Sequence, residues 1–186
     1  MRFRKTIQQG LLFLGIALLP QCVQAHDLLQ KHVELNDWKY RWQSESDFSA
    51  AVASSHLKDW RTISAPRNPP HRNQEGYLWL QARLPDFIQT LDEPTLLLQR
   101  VDQNFIVIID DKQIYKFGRL DPSNERAYIG TPFHLIPLKR EYAGQHIQLQ
   151  IYSEYTSIGI QGPVRIGNRG DLILKFIRDR MFALLS

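Results

Sequence analysis

The chain has 186 residues and a formal net charge of +4, with 23 Lys+Arg against 19 Asp+Glu. That length suits one domain with a sizeable core. No internal repeat, low-complexity tract or second-domain boundary interrupts it.

The N-terminus reads as a secretory signal. Arg2, Arg4 and Lys5 form a basic start, and Leu11 to Leu19 is an uninterrupted apolar run of nine residues. Val23-Gln24-Ala25 fits the small-x-small pattern of a signal peptidase site. The run is too short to span a membrane. Pro20-Gln21 ahead of Cys22 lacks the small residues of a lipoprotein signal. Residues 1–25 are therefore expected to be removed, leaving 26–186 as the working chain. The single cysteine leaves with them, and with it any disulfide, thiol nucleophile or zinc–thiolate site. So do three basic residues and no acidic ones, so 20 basic against 19 acidic residues leave +1. A nucleic-acid partner needs a basic face, and that balance argues against one.

Past the leader, Trp38-Lys39-Tyr40-Arg41-Trp42 opens the domain. Residues 46–54 (SDFSAAVAS) suit one short helix capped by Ser46. The pattern then turns to period two. Leu78, Leu80, Ala82 and Leu84 alternate with Tyr77, Trp79, Gln81 and Arg83, as in a strand with one face on a core. Residues 95–101 and 105–109 are more continuously apolar, as strands covered on both faces are. Asp110-Asp111 sits where the second of these should reverse, before Ile114, Tyr115 and Phe117 resume the pattern. Asp bonds local backbone and tolerates left-handed geometry, so the pair reads as a hairpin turn. Residues 133–138 and 164–166 are short strand candidates, and Ile147, Leu149 and Ile151 alternate with Gln148, Gln150 and Tyr152.

Turn chemistry punctuates these runs at Pro85-Asp86, Asp121-Pro122-Ser123-Asn124, Gly130-Thr131-Pro132, Gly162-Pro163 and Gly167-Asn168-Arg169-Gly170. Many short strands so spaced indicate an all-β fold, a jelly-roll β-sandwich. Over residues 172–186, Leu174, Ile177, Met181, Leu184 and Leu185 fall at helical spacing. A helix there would be roughly 22 Å long. It carries Lys175, Arg178, Asp179 and Arg180, so it cannot span a membrane by itself. Two readings stand: a helix packed on the domain, or a juxtamembrane helix.

Motifs for chemistry are sparse. There is no G-x-S-x-G elbow, no P-loop and no G-x-G-x-x-G. The six histidines never form H-x-H or H-E-x-x-H, and the closest pair, His26 and His32, is six apart. Neither a cofactor nor a metal site is expected. Arg169-Gly170-Asp171 spells an adhesion tripeptide, but its glycine-rich setting reads better as a turn. Adjacent carboxylates on a hairpin tip are poorly placed for glycoside hydrolysis, which needs two carboxyls roughly 5–10 Å apart across a sugar.

The order of motifs carries a resemblance. The tryptophan-rich entry, Asp59-Trp60, the GYLWLQARLP stretch of residues 76–85, Val101-Asp102, the Asp110-Asp111 hairpin, Gly118, the PFHLIPL of residues 132–138, Gly144 and residues 147–151 follow one another. This resembles the jelly roll at the N-terminus of beta-galactosidase-like hydrolases. It is more similar to a galactose-binding-like relative, the periplasmic sensory domain of bacterial seven-transmembrane signalling receptors. The G-x-x-G stretch of residues 159–167 is also similar to the end of such domains. Two positions depart from the pattern. Asp110-Asp111 stands where the family hairpin has Asn-Gly, and Leu80 or Gln81 stands where an arginine often follows the strand aromatic.

The resemblance implies a non-enzymatic, periplasmic ligand-binding sensor module of a membrane receptor, without its output domain. Ligand would bind at loops on one end of the sandwich. Asp102 and Asn104 before one strand, and Tyr152, Glu154 and Tyr155 after another, are the expected contacts, because aromatic faces with hydrogen-bonding groups suit a carbohydrate or similar polar ligand. The C-terminal helix would meet the inner membrane or a membrane-spanning partner. A secreted carbohydrate-binding accessory protein is the alternative. A glycoside hydrolase fragment using Glu154 or Glu75 as its acid is a third reading.

Overall fold

A computed structural model describes residues 32–43, 59–118, 120, 130 and 132–185. The leader, the SDFSAAVAS segment and Asp121-Pro122-Ser123-Asn124 lie outside them. The described residues belong to one compact unit, His32–Ser186.

Among the described residues, ten strands build two antiparallel sheets. They are β1 (His32–Glu34), β2 (Trp38–Gln43), β3 (Arg61–Ile63), β4 (Tyr77–Arg83), β5 (Pro94–Val101), β6 (Asn104–Ile109), β7 (Lys112–Phe117), β8 (His134–Pro137), β9 (His146–Tyr152) and β10 (Ile160–Asn168). Among the described residues, one α-helix, α1 (Arg169–Leu185), follows β10. The smaller sheet has the order β1-β10-β5-β8, the larger β3-β2-β4-β9-β6-β7. The fold is thus an all-β sandwich with a C-terminal helix.

The period-two pattern sets the register. In the larger sheet, Trp42, Leu78, Ile151 and Phe105 form one inward row, and Tyr40, Leu80, Leu149 and Val107 the next. Leu96, Leu98, Ile136, Val164 and Ile166 of the smaller sheet join them in one buried core. Fully burying each such side chain contributes about 1.5–3 kcal/mol. The more continuous run of β5 has a matching cause. Leu97 points away from the core and is still buried, on the side where α1 crosses β5 and β10.

Asp110-Asp111 joins β6 to β7 as a two-residue turn, with Ile109 paired to Lys112. Both residues have positive φ, 51° and 56°, as the hairpin turn that favours Asn-Gly requires.

Two turn expectations fail. Gly162-Pro163 lies inside β10, where the register against β5 slips between Gln161 and Val164. Gly162, at φ 84°, makes a bulge there, and bulges use the same residues as turns. The strand therefore runs through Ile160–Asn168 and is not confined to residues 164–166. Gly167-Asn168-Arg169-Gly170 is no turn either: β10 passes straight into α1, which begins at Arg169, three residues before the expected start. The junction is clamped from outside. Asn168 Oδ1 accepts the backbone N–H groups of Asp92 (2.9 Å) and Glu93 (3.1 Å), and the Arg169 N–H donates to Glu93 O (3.1 Å).

The helix also docks by an unexpected face. Leu172 is buried, and Phe176 stacks on Phe133 with ring centres 4.7 Å apart. Arg165 of β10 reaches Glu34 Oε1 and Asp179 Oδ2, each at 3.2 Å, while Lys175 holds the other Asp179 oxygen at 2.6 Å. Burial alone would raise the Asp179 carboxyl. The Lys175 bond and the charges of Lys175, Arg165 and Arg178 outweigh it and hold the carboxyl below the usual carboxylate range. Leu174, Ile177 and Met181, the periodic residues, face solvent.

Candidate functional site

Three connections meet at one end of the sandwich: residues 64–76 between β3 and β4, residues 102–103 between β5 and β6, and residues 153–159 between β9 and β10. The first is long and unusual in its backbone. Asn68, His71, Asn73 and Gln74 all have positive φ, as does Asp59 just before β3. Each such non-glycine residue stores about 1 kcal/mol or more, so the surroundings must over-determine the conformation.

They do. Ile160 N donates to Pro66 O (2.7 Å), and Asn68 exchanges bonds with Ile158 through its own N–H and its Oδ1, both at 2.8 Å. Trp42 Nε1 donates to Pro70 O at 2.8 Å. Arg72 is the central brace. Its guanidinium donates to the carbonyls of Glu75 (2.8 Å), Ser153 (2.6 Å), Thr156 (3.2 Å) and Tyr155. It also lies 5.8 Å from the Trp42 ring centre. Burial lowers its pKa from the ordinary value. Gly159 permits the closest approach. A Cβ there would run into Pro66 O and sit 2.8 Å from Arg67 Cα.

The strapped loop walls a cleft of about 240 Å³. Strand β2 supplies Tyr40, Arg41 and Trp42, and β3 with its approach supplies Asp59 and Arg61. The loop supplies His71, Asn73 and Glu75. Three of these residues, Asp59, His71 and Asn73, have left-handed backbone. Tyr40 and Trp42 meet edge-on at 6.5 Å; Tyr40 is buried in the core, and half-buried Trp42 supplies the aromatic surface of the cleft. Among the described residues, no ion pair or side-chain hydrogen bond engages the side chains of Arg41, Arg61, Asp59 or Glu75. The cleft therefore presents aromatic surface with unengaged donors and acceptors of both charges. That arrangement suits a small ligand with many hydroxyl groups. Among the described residues, no group of three or more His, Cys, Asp and Glu could hold a metal ion.

The five residues expected from sequence lie at this same end of the sandwich, on β6, β9 and the loops that follow β5 and β9. Asp102 is buried and accepts bonds from Ser157 Oγ (2.9 Å) and Gln161 Nε2 (2.7 Å), so it braces the 153–159 loop. Asn104 and Tyr152 pair across β6 and β9 on the outer face of the larger sheet. Tyr152 is buried against Tyr77, with ring centres 4.9 Å apart, and its hydroxyl donates to Glu154 Oε1 at 2.9 Å. Glu154 and Tyr155 are exposed in the loop that Arg72 holds. None of the five lines the cleft. Arg72, His71 and Asn73 were not anticipated. The Asn68-Pro69-Pro70 turn chemistry was their only local signal, and it marks a loop without saying what the loop encloses.

No protein-family model matches the chain, and no curated protein does. Solved structures do. A β-glucuronidase from Ruminococcus gnavus, in complex with D-glucaro 1,5-lactone, matches with a TM-score of 0.53 and 13% identity over 73% of this chain. The same organism's enzyme in complex with uronic isofagomine gives 0.53 and 14% over the same share. This chain shares its fold with part of those hydrolases. It spans 29% of the first enzyme's length and 28% of the second's. The likeness is one of fold alone, an antiparallel β-sandwich.

Proposed function

We propose that this chain is a non-enzymatic ligand-binding module, exported to the periplasm, that senses a small carbohydrate or similar polar ligand for a membrane signalling receptor. The ligand sits in the cleft between Trp42 and Glu75, with the expected loop residues Glu154 and Tyr155 at its margin and Asp102, Asn104 and Tyr152 supporting that end. The observation that carries the reading is the set of four left-handed residues, Asn68, His71, Asn73 and Gln74, within one loop. Strain of this kind persists where a site needs it, and here it aims unengaged polar groups into a cleft that Trp42 lines. The fold shared with β-glucuronidase favours a carbohydrate over other polar ligands.

A thermal-shift screen of sugars, carboxylates and cell-wall fragments tests this. A binder should raise the melting temperature of the wild-type chain and not of Trp42→Ala. Hydrolysis of a glycoside, abolished by Glu75→Gln or Glu154→Gln, would overturn the non-enzymatic reading. Fractionation separates the receptor role, which places the protein with the inner membrane, from a freely secreted accessory role.

A further inference from the structure

We propose that the cleft selects a small zwitterion, a molecule that carries both an ammonium and a carboxylate. The inference rests on the reading of this cleft as a ligand site and adds the charge of what fills it. Two guanidiniums and two carboxylates line it, Arg41 and Arg61 with Asp59 and Glu75. Opposite charges around a cleft of about 240 Å³ attract one another. Yet among the described residues none of these four side chains makes an ion pair or a hydrogen bond.

The backbone under each is committed elsewhere. Arg41 pairs with Trp79 across β2 and β4, and Arg61 with Tyr40 across β3 and β2. Asp59 enters β3 in a left-handed conformation, φ 67°. Glu75 is fixed twice through its main chain. Its N–H donates to Arg72 O and its carbonyl accepts Arg72 Nε, both at 2.8 Å. The cations thus stand on strands, and the carboxylates on constrained connections.

Charge decides among ligands. Arg41 and Glu75 are already half-buried, and a molecule closing over them takes more water from both. A neutral ligand would leave each charge without a counter-charge, which is unfavourable away from water. An anion would answer the arginines and face the carboxylates, and a cation would do the reverse. Like charges brought together oppose binding. A zwitterion answers both pairs. The planar guanidinium fork suits its carboxylate. Its ammonium goes to Asp59 and Glu75, because the Trp42 ring is already met by the Arg72 guanidinium at 5.8 Å. Amino sugars bearing an acid and free amino acids share this chemistry.

Isothermal titration calorimetry at pH 7 with two matched sets of probes tests this. The sugar set is muramic acid with both charges, N-acetylmuramic acid with the anion only, glucosamine with the cation only, and glucose with neither. The amino-acid set is threonine, N-acetylthreonine and threonine amide. The zwitterion of one set should bind about tenfold more tightly than its single-charge partners, and which set does so identifies the source. Glu75→Gln should weaken that zwitterion about tenfold and leave the anion-only probe unchanged. Arg41→Gln should weaken it as much and leave the cation-only probe unchanged. If either variant fails to fold, Asp59→Asn and Arg61→Gln, on exposed side chains, make the same two comparisons. Glucose or a single-charge probe binding as tightly as the zwitterion would overturn the proposal. The cleft would remain a ligand site if Trp42→Ala abolished that binding. No binding by any probe would also overturn the proposal, and the thermal-shift screen then decides the cleft reading separately.

Discussion

Protonating His134 would place a charge among aromatic rings. It lies in β8, buried, with the rings of Phe105, Phe117 and Tyr115 at 4.8, 4.7 and 5.7 Å. Its Nδ1 pairs with the Tyr115 hydroxyl at 3.0 Å, and its Nε2 has no partner among the described residues. Burial lowers its pKa from 6.5 to about 4 and pushes that of Tyr115 up. The folded state thus holds the neutral ring, while the unfolded chain takes a proton near pH 6.5. Stability is intact above pH 6.5 and falls as pH drops toward 4, by roughly 2–3 kcal/mol. Urea titrations at pH 7 and pH 4.5 should show this loss in the wild type and a much shallower one in His134→Phe. The hairpin turn gives a second prediction at this scale. Asp110→Asn with Asp111→Gly relieves positive φ at Asp111 and should raise stability by about 0.5–1 kcal/mol. Ligand binding should be unchanged. Its loss in a thermal-shift assay would mean that these carboxylates form a site after all.

Single elements show what a sequence reveals and what it hides. The alternation in β4 and β9 was legible because each strand has one face on the core. The bulge of β10 was not, because Gly162-Pro163 carries the same composition whether the chain reverses or merely kinks. The helix period was legible too, but not the direction of its apolar side. Its docked side is held by groups outside the helix, Arg165 of β10 on Asp179 and Phe133 on Phe176. The strapped loop follows the same rule, since Arg72 bonds carbonyls more than 80 positions away. Arg72→Lys should therefore fail where Arg72 succeeds, because an ammonium cannot fork to several carbonyls. We expect about 1–3 kcal/mol of lost stability and weaker ligand binding, read by denaturation and thermal shift. Gly159→Ala should cost about 2–4 kcal/mol, combining a positive φ of 130° with a collision at Pro66, and should open the cleft.

At the scale of the whole molecule, the two-sheet architecture was legible from strand count and punctuation, whereas the cleft was not. Its walls come from β2, β3 and a loop that no local pattern ties together. The same separation explains why Asp102 and Tyr152, expected as ligand contacts, are instead engaged by Ser157, Gln161 and Tyr77. One strand joins the site to the helix. β10 begins beside Pro66 and Asn68, under the cleft loop, and ends by becoming α1 with no intervening turn. Strand and helix are therefore mechanically one rod, gripped at its middle joint by Asn168 and Arg169. Such a rod has no slack in phase. One alanine inserted between Asn168 and Arg169 would rotate every later helical position by roughly 100°. Asp179 would swing off Arg165, and the outward stripe would turn toward the flank of the sandwich. Ligand binding should survive that insertion, while any message read at the far end of the helix would arrive on the wrong side.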